Sequence, residues 1–296
     1  MTVNSIVFPL KLDGVNCRSH KMLGIFKLNN TIIFLHTILG DVPKEQITRN
    51  TVFPNYIIAD FFSLDFKTRS QSVLMYQEKK VLYETICKCI KSEGSLILNT
   101  MAYSALGNHG HDALAKLIKI QNSSMCEFGD SPAPVQKIYS DNKTYTFGDY
   151  DVRMTSDFIM EGINNRISSI DMWKLNLNAY LYTEIEEKDG MLYFGTAGKG
   201  GRFYGVSLQD GKVIFSYDTG GTVRYYWLED SVFLIGRKEN IVQIDCKTGI
   251  ELRRFDFRKE KLRVLPQMLI NDNKLYAAAY QNKDYYKFCA LLIDLA

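Results

Sequence analysis

Apolar and polar positions along this chain recur as one phrase: an apolar run, a polar or glycine-bearing turn, then a second apolar run. It is clearest at Tyr204-Gly205-Val206-Ser207-Leu208-Gln209-Asp210-Gly211-Lys212-Val213-Ile214-Phe215 and at Ile241-Val242-Gln243-Ile244-Asp245-Cys246-Lys247-Thr248-Gly249-Ile250-Glu251-Leu252. The same phrase is read at 62–76, 117–128 and 172–182, and at 288–294 without its second run. A second marker lies upstream in each unit. It is a tight polar turn at Asn29-Asn30, Ser92-Glu93-Gly94, Asp141-Asn142, Asp189-Gly190, Glu229-Asp230 and Asp272-Asn273. Asn, Asp and Gly tolerate the positive backbone angles of short hairpins, and an apolar strand follows every one of these turns. From residue 94 onward the markers fall 48, 48, 40 and 43 residues apart. A period of roughly 40–50 residues belongs to repeated supersecondary units.

Each unit therefore reads as strand a, tight turn, strand b, longer loop, strand c, tight turn, strand d. This predicts an all-β chain, a single β-propeller of four-stranded blades, with six blades and seven as the alternative. Approximate blades are 15–77, 78–130, 134–184, 185–219, 221–257 and 262–296, within one domain spanning 1–296. The sixth unit stops after strand c, and Asn4–Leu10 is strand-like with no partner of its own. It is predicted to supply the missing outer strand of the last blade, which would leave no unpaired edge there. Two segments interrupt the period: 40–54 in blade one and 148–171 in blade three. Both are predicted to be exposed excursions and candidates for partner contact.

The turns Asp245-Cys246-Lys247-Thr248-Gly249 and Gln209-Asp210-Gly211-Lys212, each between apolar runs, resemble the repeat of quinoprotein-like (pyrroloquinoline-quinone-type) propellers. The resemblance is best over 190–257, partial over 262–296 and faint before 190. It implies the fold. The terminal Trp of that repeat is replaced here by Phe215 and Phe255, so the resemblance does not extend to the quinone, and no cofactor is expected.

Composition narrows the functional classes. The net charge of +3 is too small for the concentrated basic stripe of a nucleic-acid binder. No run approaches the roughly 18 apolar residues of a membrane span, so neither nucleic acid nor membrane is the expected partner. The six cysteines, at 17, 87, 89, 126, 246 and 289, form no disulfide framework, and Cys87-Lys88-Cys89 is too tight for a zinc knuckle. No signal-like N-terminus is read, and a cytoplasmic location is expected. No nucleophile elbow, zinc-helix motif or phosphate-binding loop occurs, so no catalytic residue is singled out and an enzyme is not expected.

Asn108-His109-Gly110-His111-Asp112 holds two imidazoles and a carboxylate, which could take a transition metal. It lacks a further ligand group nearby in sequence and is read as a solvated loop, with no metal site. Gly195–Arg202 is glycine-rich and could cradle an anion on successive amides, but it opens into a strand rather than a helix and is read as a flexible hairpin. The a–b turns and their flanks are acidic (Glu93, Asp141, Glu186, Glu187, Asp189, Glu229, Asp230, Asp272), whereas the b–c loops lean basic. Aromatic residues accompany these b–c loops, as in Asp284-Tyr285-Tyr286, and Arg224-Tyr225-Tyr226-Trp227 begins blade five. Tyr, Trp and Arg are the types that carry interface energy. The partner-binding candidates are Lys44, Arg49, His109, His111, Lys199, Arg202, Arg237, Lys238, Tyr285 and Tyr286. The expected function is non-catalytic binding of one protein partner, most concretely an immunity protein that neutralises a bacterial toxin such as a nuclease. The competing class is a lactonase-like or glycan-processing propeller hydrolase with a central-channel metal or carboxylate site.

Overall fold

The computed structural model describes residues 5–48, 51–78, 81–92, 94–104, 114–130, 143–156, 158–166, 172–177, 179–235, 240–281 and 284–295. Their strands form six four-stranded antiparallel sheets, five of them up-and-down meanders of neighbours in sequence and the sixth completed by a strand from far upstream. The first has strands Cys17–Leu28, Thr31–Gly40, Phe53–Ser63 and Arg69–Glu78. The second has Val81–Ser92, Ser95–Ser104, Leu114–Gln121 and Ser124–Asp130. The third has Thr144–Phe147, Tyr150–Ser156, Ile159–Asn164 and Met172–Asn176. The fourth has Glu186–Lys188, Met191–Gly195, Arg202–Ser207 and Val213–Asp218, and the fifth Arg224–Leu228, Ser231–Ile235, Ile241–Asp245 and Glu251–Phe255. The sixth takes Leu262–Asn271, Lys274–Gln281 and Asp284–Asp294, with Ser5–Leu10 as its fourth strand. The only helical element among the described residues is the short 3-10 turn Lys44–Gln46, inside the 40–54 excursion.

Six four-stranded sheets of this kind define the fold class as a six-bladed β-propeller. The predicted outer strand is in place, with Ile6 opposite Leu292 and Val7 opposite Leu291. The chain divides into two compact units, one of residues 1–135 with 261–296 and one of 136–260. Blades one, two and six belong to the former; blades three, four and five to the latter.

The b strands explain the apolar runs. Ile32, Ile33, Phe34 and Leu35 are all sealed from solvent, as are Leu275 through Ala279, so these strands are covered on both faces and carry no polar alternation. Hairpin chemistry sets the boundaries. Asp189 and Gly190 both have positive φ, as do Asp272 and Asn273, the backbone that a two-residue turn matched to strand twist requires. In the c–d turn of blade five, Asp245 Oδ1 accepts from the Lys247 amide at 3.1 Å, the Thr248 amide at 2.8 Å and the Thr248 hydroxyl at 2.7 Å. Gly249 then closes the turn at φ 70°. The Asp-x-x-Thr-Gly spacing is therefore a self-contained turn.

Blade three departs from the sequence expectation by one strand. Residues 144–147 are its strand a, not b, and much of the predicted excursion 148–171 is ordered sheet, namely Tyr150–Ser156 and Ile159–Asn164. Gly148, at φ 56°, opens the true a–b turn. The stretch 172–176 is strand d, and 180–182 lies outside this sheet; Leu181 instead bridges Thr196, just after strand b of blade four. The shift matters because it puts Trp173 on a d strand. Trp173 lies over Gly162, its partner across the ladder, where any Cβ would overlap the indole. On its other side a Cβ at Gly211, in the c–d turn of blade four, would come within 2.5 Å of the ring. Its Nε1 donates to the Leu208 carbonyl at 2.9 Å. Phe215 repeats this one blade later, over Gly205 and against Gly249. An aromatic d-strand residue seated on the glycine turn of the following blade is thus a repeated joint, and one of its two instances is a Trp.

Candidate partner-binding surface

The first strands of blades three, four and five and the residues just before them together supply charged and aromatic side chains that join one blade to the next. Lys143, just before the a strand of blade three, pairs with Glu184. Tyr145 donates its hydroxyl to the same carboxylate at 2.7 Å, and the Lys143 ammonium lies 4.5 Å from the Tyr145 ring centroid. From the a strand of blade five, the Trp227 indole donates to Glu186 at 2.6 Å. Lys188 lies 5.2 Å from the Trp227 ring centroid and donates to the Glu229 carbonyl at 2.8 Å and to Asp230 at 3.1 Å. Tyr225 connects the two groups: its hydroxyl is 3.5 Å from the Glu184 carbonyl, and its ring meets Trp227 edge to face at 6.2 Å. Arg224 donates to the Tyr182 hydroxyl at 3.0 Å.

The electrostatics follow from these pairings. The hydrogen bond from Lys143 holds the Glu184 carboxyl below the usual carboxylate range against the opposing effect of burial. Asp230 raises Lys188 above the ordinary lysine range. Burial, reinforced by Glu186, keeps the Tyr225 hydroxyl protonated far above its ordinary value. Around this surface six carboxylates (Glu184, Glu186, Glu187, Asp189, Glu229, Asp230) outnumber three cations (Lys143, Lys188, Arg224). Glu184 and Asp230 are about two-thirds exposed. The arrangement is a polar, aromatic face with surplus negative charge.

A second polar cluster crosses blade one, from buried His36 and Asp60 to exposed Gln71, and draws residues from all four strands. His20 Nε2 lies 2.7 Å from His36 Nδ1, and His36 Nε2 lies 2.8 Å from Asp60 Oδ2. Asp60 Oδ1 accepts from Arg69 Nε at 2.9 Å, Arg69 NH2 at 2.8 Å and Gln71 Nε2 at 2.9 Å. His36 and Asp60 have no exposure, and Phe288 lies against the His20 ring at a centroid distance of 3.8 Å. Burial raises the Asp60 carboxyl, but the hydrogen bond and charge of His36, and then Arg69, outweigh it and leave Asp60 below its ordinary value. The histidine, aspartate, arginine and glutamine side chains here satisfy one another and form a polar brace across the four strands of blade one.

The sequence-predicted candidates are scattered over these sheets. Lys44 opens the 3-10 turn of blade one. Lys199 is exposed in the b–c hairpin of blade four. Arg202 is the first residue of its strand c, opposite Asp218, with its guanidinium donating to Ser216 at 3.1 Å. Tyr285 and Tyr286 are not in a loop as expected: they lie within the strand Asp284–Asp294, because the hairpin tightens to Gln281 paired with Asp284. Arg49, His109, His111, Arg237 and Lys238 lie outside the described residues. Lys199 and Arg202 share one hairpin of blade four, whereas Lys44 lies in blade one. The glycine-rich loop itself is internally satisfied at several amides. The Gly198 amide donates to Thr222, the Gly201 amide to the Gly198 carbonyl, and the Arg202 amide to Thr196. Gly201 is required because any Cβ there would overlap the Gly221 carbonyl. The cluster around Trp227 escaped the sequence reading as a site, although Lys143/Glu184, Glu186/Trp227 and Lys188/Asp230 are each separated by about one repeat.

No protein-family model matches this chain, and no curated protein sequence matches it. Among solved structures it is similar to BamB from Moraxella catarrhalis, with 8% identity, TM-score 0.41, and coverage of 94% of this chain and 99% of that one. It is also similar to the WD40 β-propeller domain of Doa1, at 10% identity and TM-score 0.46, covering 98% and 97% of the two chains. A computationally designed protein, Ika8, aligns at 9% identity and TM-score 0.44, over 93% and 97%.

Proposed function

We propose that this propeller is a non-catalytic binder of another protein. In its most specific form it is an immunity protein that caps a bacterial toxin, a nuclease being the model case, in the cytoplasm. The observation that carries the reading is the aromatic and acidic face on the first strands of blades three to five. Half-buried Tyr and Trp rings held by fixed carboxylates supply contact area at little cost in side-chain freedom, and surplus negative charge steers a basic partner toward them. Nuclease toxins, which must themselves approach phosphate, fit that charge. The repeats are further inferred to be of the quinoprotein type without its cofactor: the Asp-x-x-Thr-Gly turn at 245–249 and the Trp173 and Phe215 joints support that relationship. The test is recovery of the tagged protein from its native host under mild conditions, followed by co-expression with any recovered partner. A stoichiometric protein whose toxicity is relieved by this chain is the expected result. Repeated recovery of the chain alone overturns it.

A further inference from the structure

Resting on that binding function, we propose that the partner is held through lysine side chains entering ammonium seats that the protein's own lysines now occupy. Two such seats are built on the same plan. At the first, the Lys143 ammonium faces the Tyr145 ring at 4.5 Å and pairs with Glu184. At the second, the Lys188 ammonium has the Trp227 ring at 5.2 Å, the Glu229 carbonyl at 2.8 Å and the Asp230 carboxylate at 3.1 Å. In each, the cation and its carboxylate are about one repeat apart, 41 residues at the first and 42 at the second. An aromatic face and a carboxylate converging on one point suit a compact ammonium. At the second seat two acceptors and the ring converge on a single nitrogen, which suits a compact ammonium better than the spread nitrogens of a guanidinium.

The seats are prebuilt. Glu186 fixes the Trp227 indole through a 2.6 Å hydrogen bond, and Tyr145 is tied to Glu184. Their occupants are easily displaced. The side chains of Lys143 and Lys188 are 51% and 37% exposed, and ion pairs at such sites contribute little to stability. A partner lysine would therefore exchange with a resident one at small cost, keep the aromatic contact, and release the resident lysine to water. The surplus of carboxylates over cations on this face favours a segment bearing several lysines rather than one.

The experiment uses the full-length protein and a synthetic lysine-rich peptide, with a glycine-serine peptide and an arginine-rich peptide of equal charge as controls. Binding is read by Trp fluorescence and by calorimetry at two salt concentrations. Lys188→Ala empties the second seat and should tighten lysine-peptide binding about two- to fivefold, the reverse of what loss of a contact residue does. Glu186→Ala, which removes the indole's acceptor, should weaken it. Trp227→Phe should abolish the fluorescence response while circular dichroism confirms folding. Absence of lysine-peptide binding, unchanged or weakened binding by Lys188→Ala, or arginine-peptide binding as tight as lysine-peptide binding each overturns the proposal. A native partner captured equally well by wild type and by Glu186→Ala overturns the seats but leaves protein binding intact; failure to capture any partner bears on the binding function instead.

Discussion

Replacing Asp60 by Ala tests the brace in blade one. Asp60 has no solvent exposure and accepts four hydrogen bonds, from His36, Gln71 and both nitrogens that Arg69 presents. Removing the carboxylate leaves a largely buried guanidinium without its counter-ion and His36 Nε2 without an acceptor. Breaking a buried pair from one side costs about 3–5 kcal/mol. With a urea m-value of about 2 kcal/mol/M this becomes a midpoint shift of roughly 1.5–2.5 M. Asp60→Asn should cost less. If His36 changes tautomer, Nε2 can accept from the new amide and Nδ1–H can donate to His20, while the amide oxygen still serves Arg69. The pH dependence has a definite sign. The folded carboxyl titrates below its ordinary value of 3.8, so its stabilisation is present above that value and is lost as pH falls through the lower folded value. The gap between wild type and Asp60→Asn should therefore narrow only in that acid range. Far-UV circular dichroism is the right observable, because both tryptophans, Trp173 and Trp227, lie in the 136–260 unit and fluorescence is blind to blade one. A cost below about 1 kcal/mol for Asp60→Ala would refute the argument that the brace is a buried, mutually dependent network.

Gly201→Ala should destabilise by about 3 kcal/mol or more, since its Cβ meets the Gly221 carbonyl and neither backbone can yield; thermal unfolding of the 136–260 unit reads it out. Trp173→Ala should cost about 3–5 kcal/mol through a cavity between Gly162 and Gly211 and loss of the bond to Leu208, with Trp173→Phe recovering a good part, measured by urea titration. Cys289, whose thiol burial pushes up to about 12, should resist a thiol reagent at neutral pH until the protein unfolds, whereas exposed Cys126 should react at once; time-resolved labelling with mass spectrometry separates them. Deleting residues 5–10 should expose the edge of Asp284–Asp294 and promote association, seen by light scattering.

Much of the architecture is written in the apolar runs, because the b strands are covered on both faces and cannot carry polar residues except in a network. His36, in the middle of Ile32–Leu39, breaks such a run, and that interruption is the sequence trace of the brace. Blade three misleads for the opposite reason. Its b and c strands bury little besides Val152 and Met160 on their apolar side, and Glu161 is held between Arg153 and Lys174, so the segment reads as a polar loop. Trp173 is consequently assigned to the wrong strand and its role as a joint is hidden. The binding face is harder still to foresee. Glu186 and Trp227 meet 41 residues apart because corresponding strands of successive blades are neighbours, and periodicity reveals that spacing without revealing which side chains fill it.

The pairing of Ser5 with Ile293 has a consequence for biosynthesis. During translation the strand Ser5–Leu10 is made before blades one to five, and its partner Asp284–Asp294 after them. Blades three to five, drawn from the contiguous stretch 136–260, contain all their own strands and can assemble while the sixth sheet is still being made. For that interval the strand Ser5–Leu10 waits unpaired, so its exposure to chaperones, and to wrong partners, lasts until Asp284–Asp294 has been made.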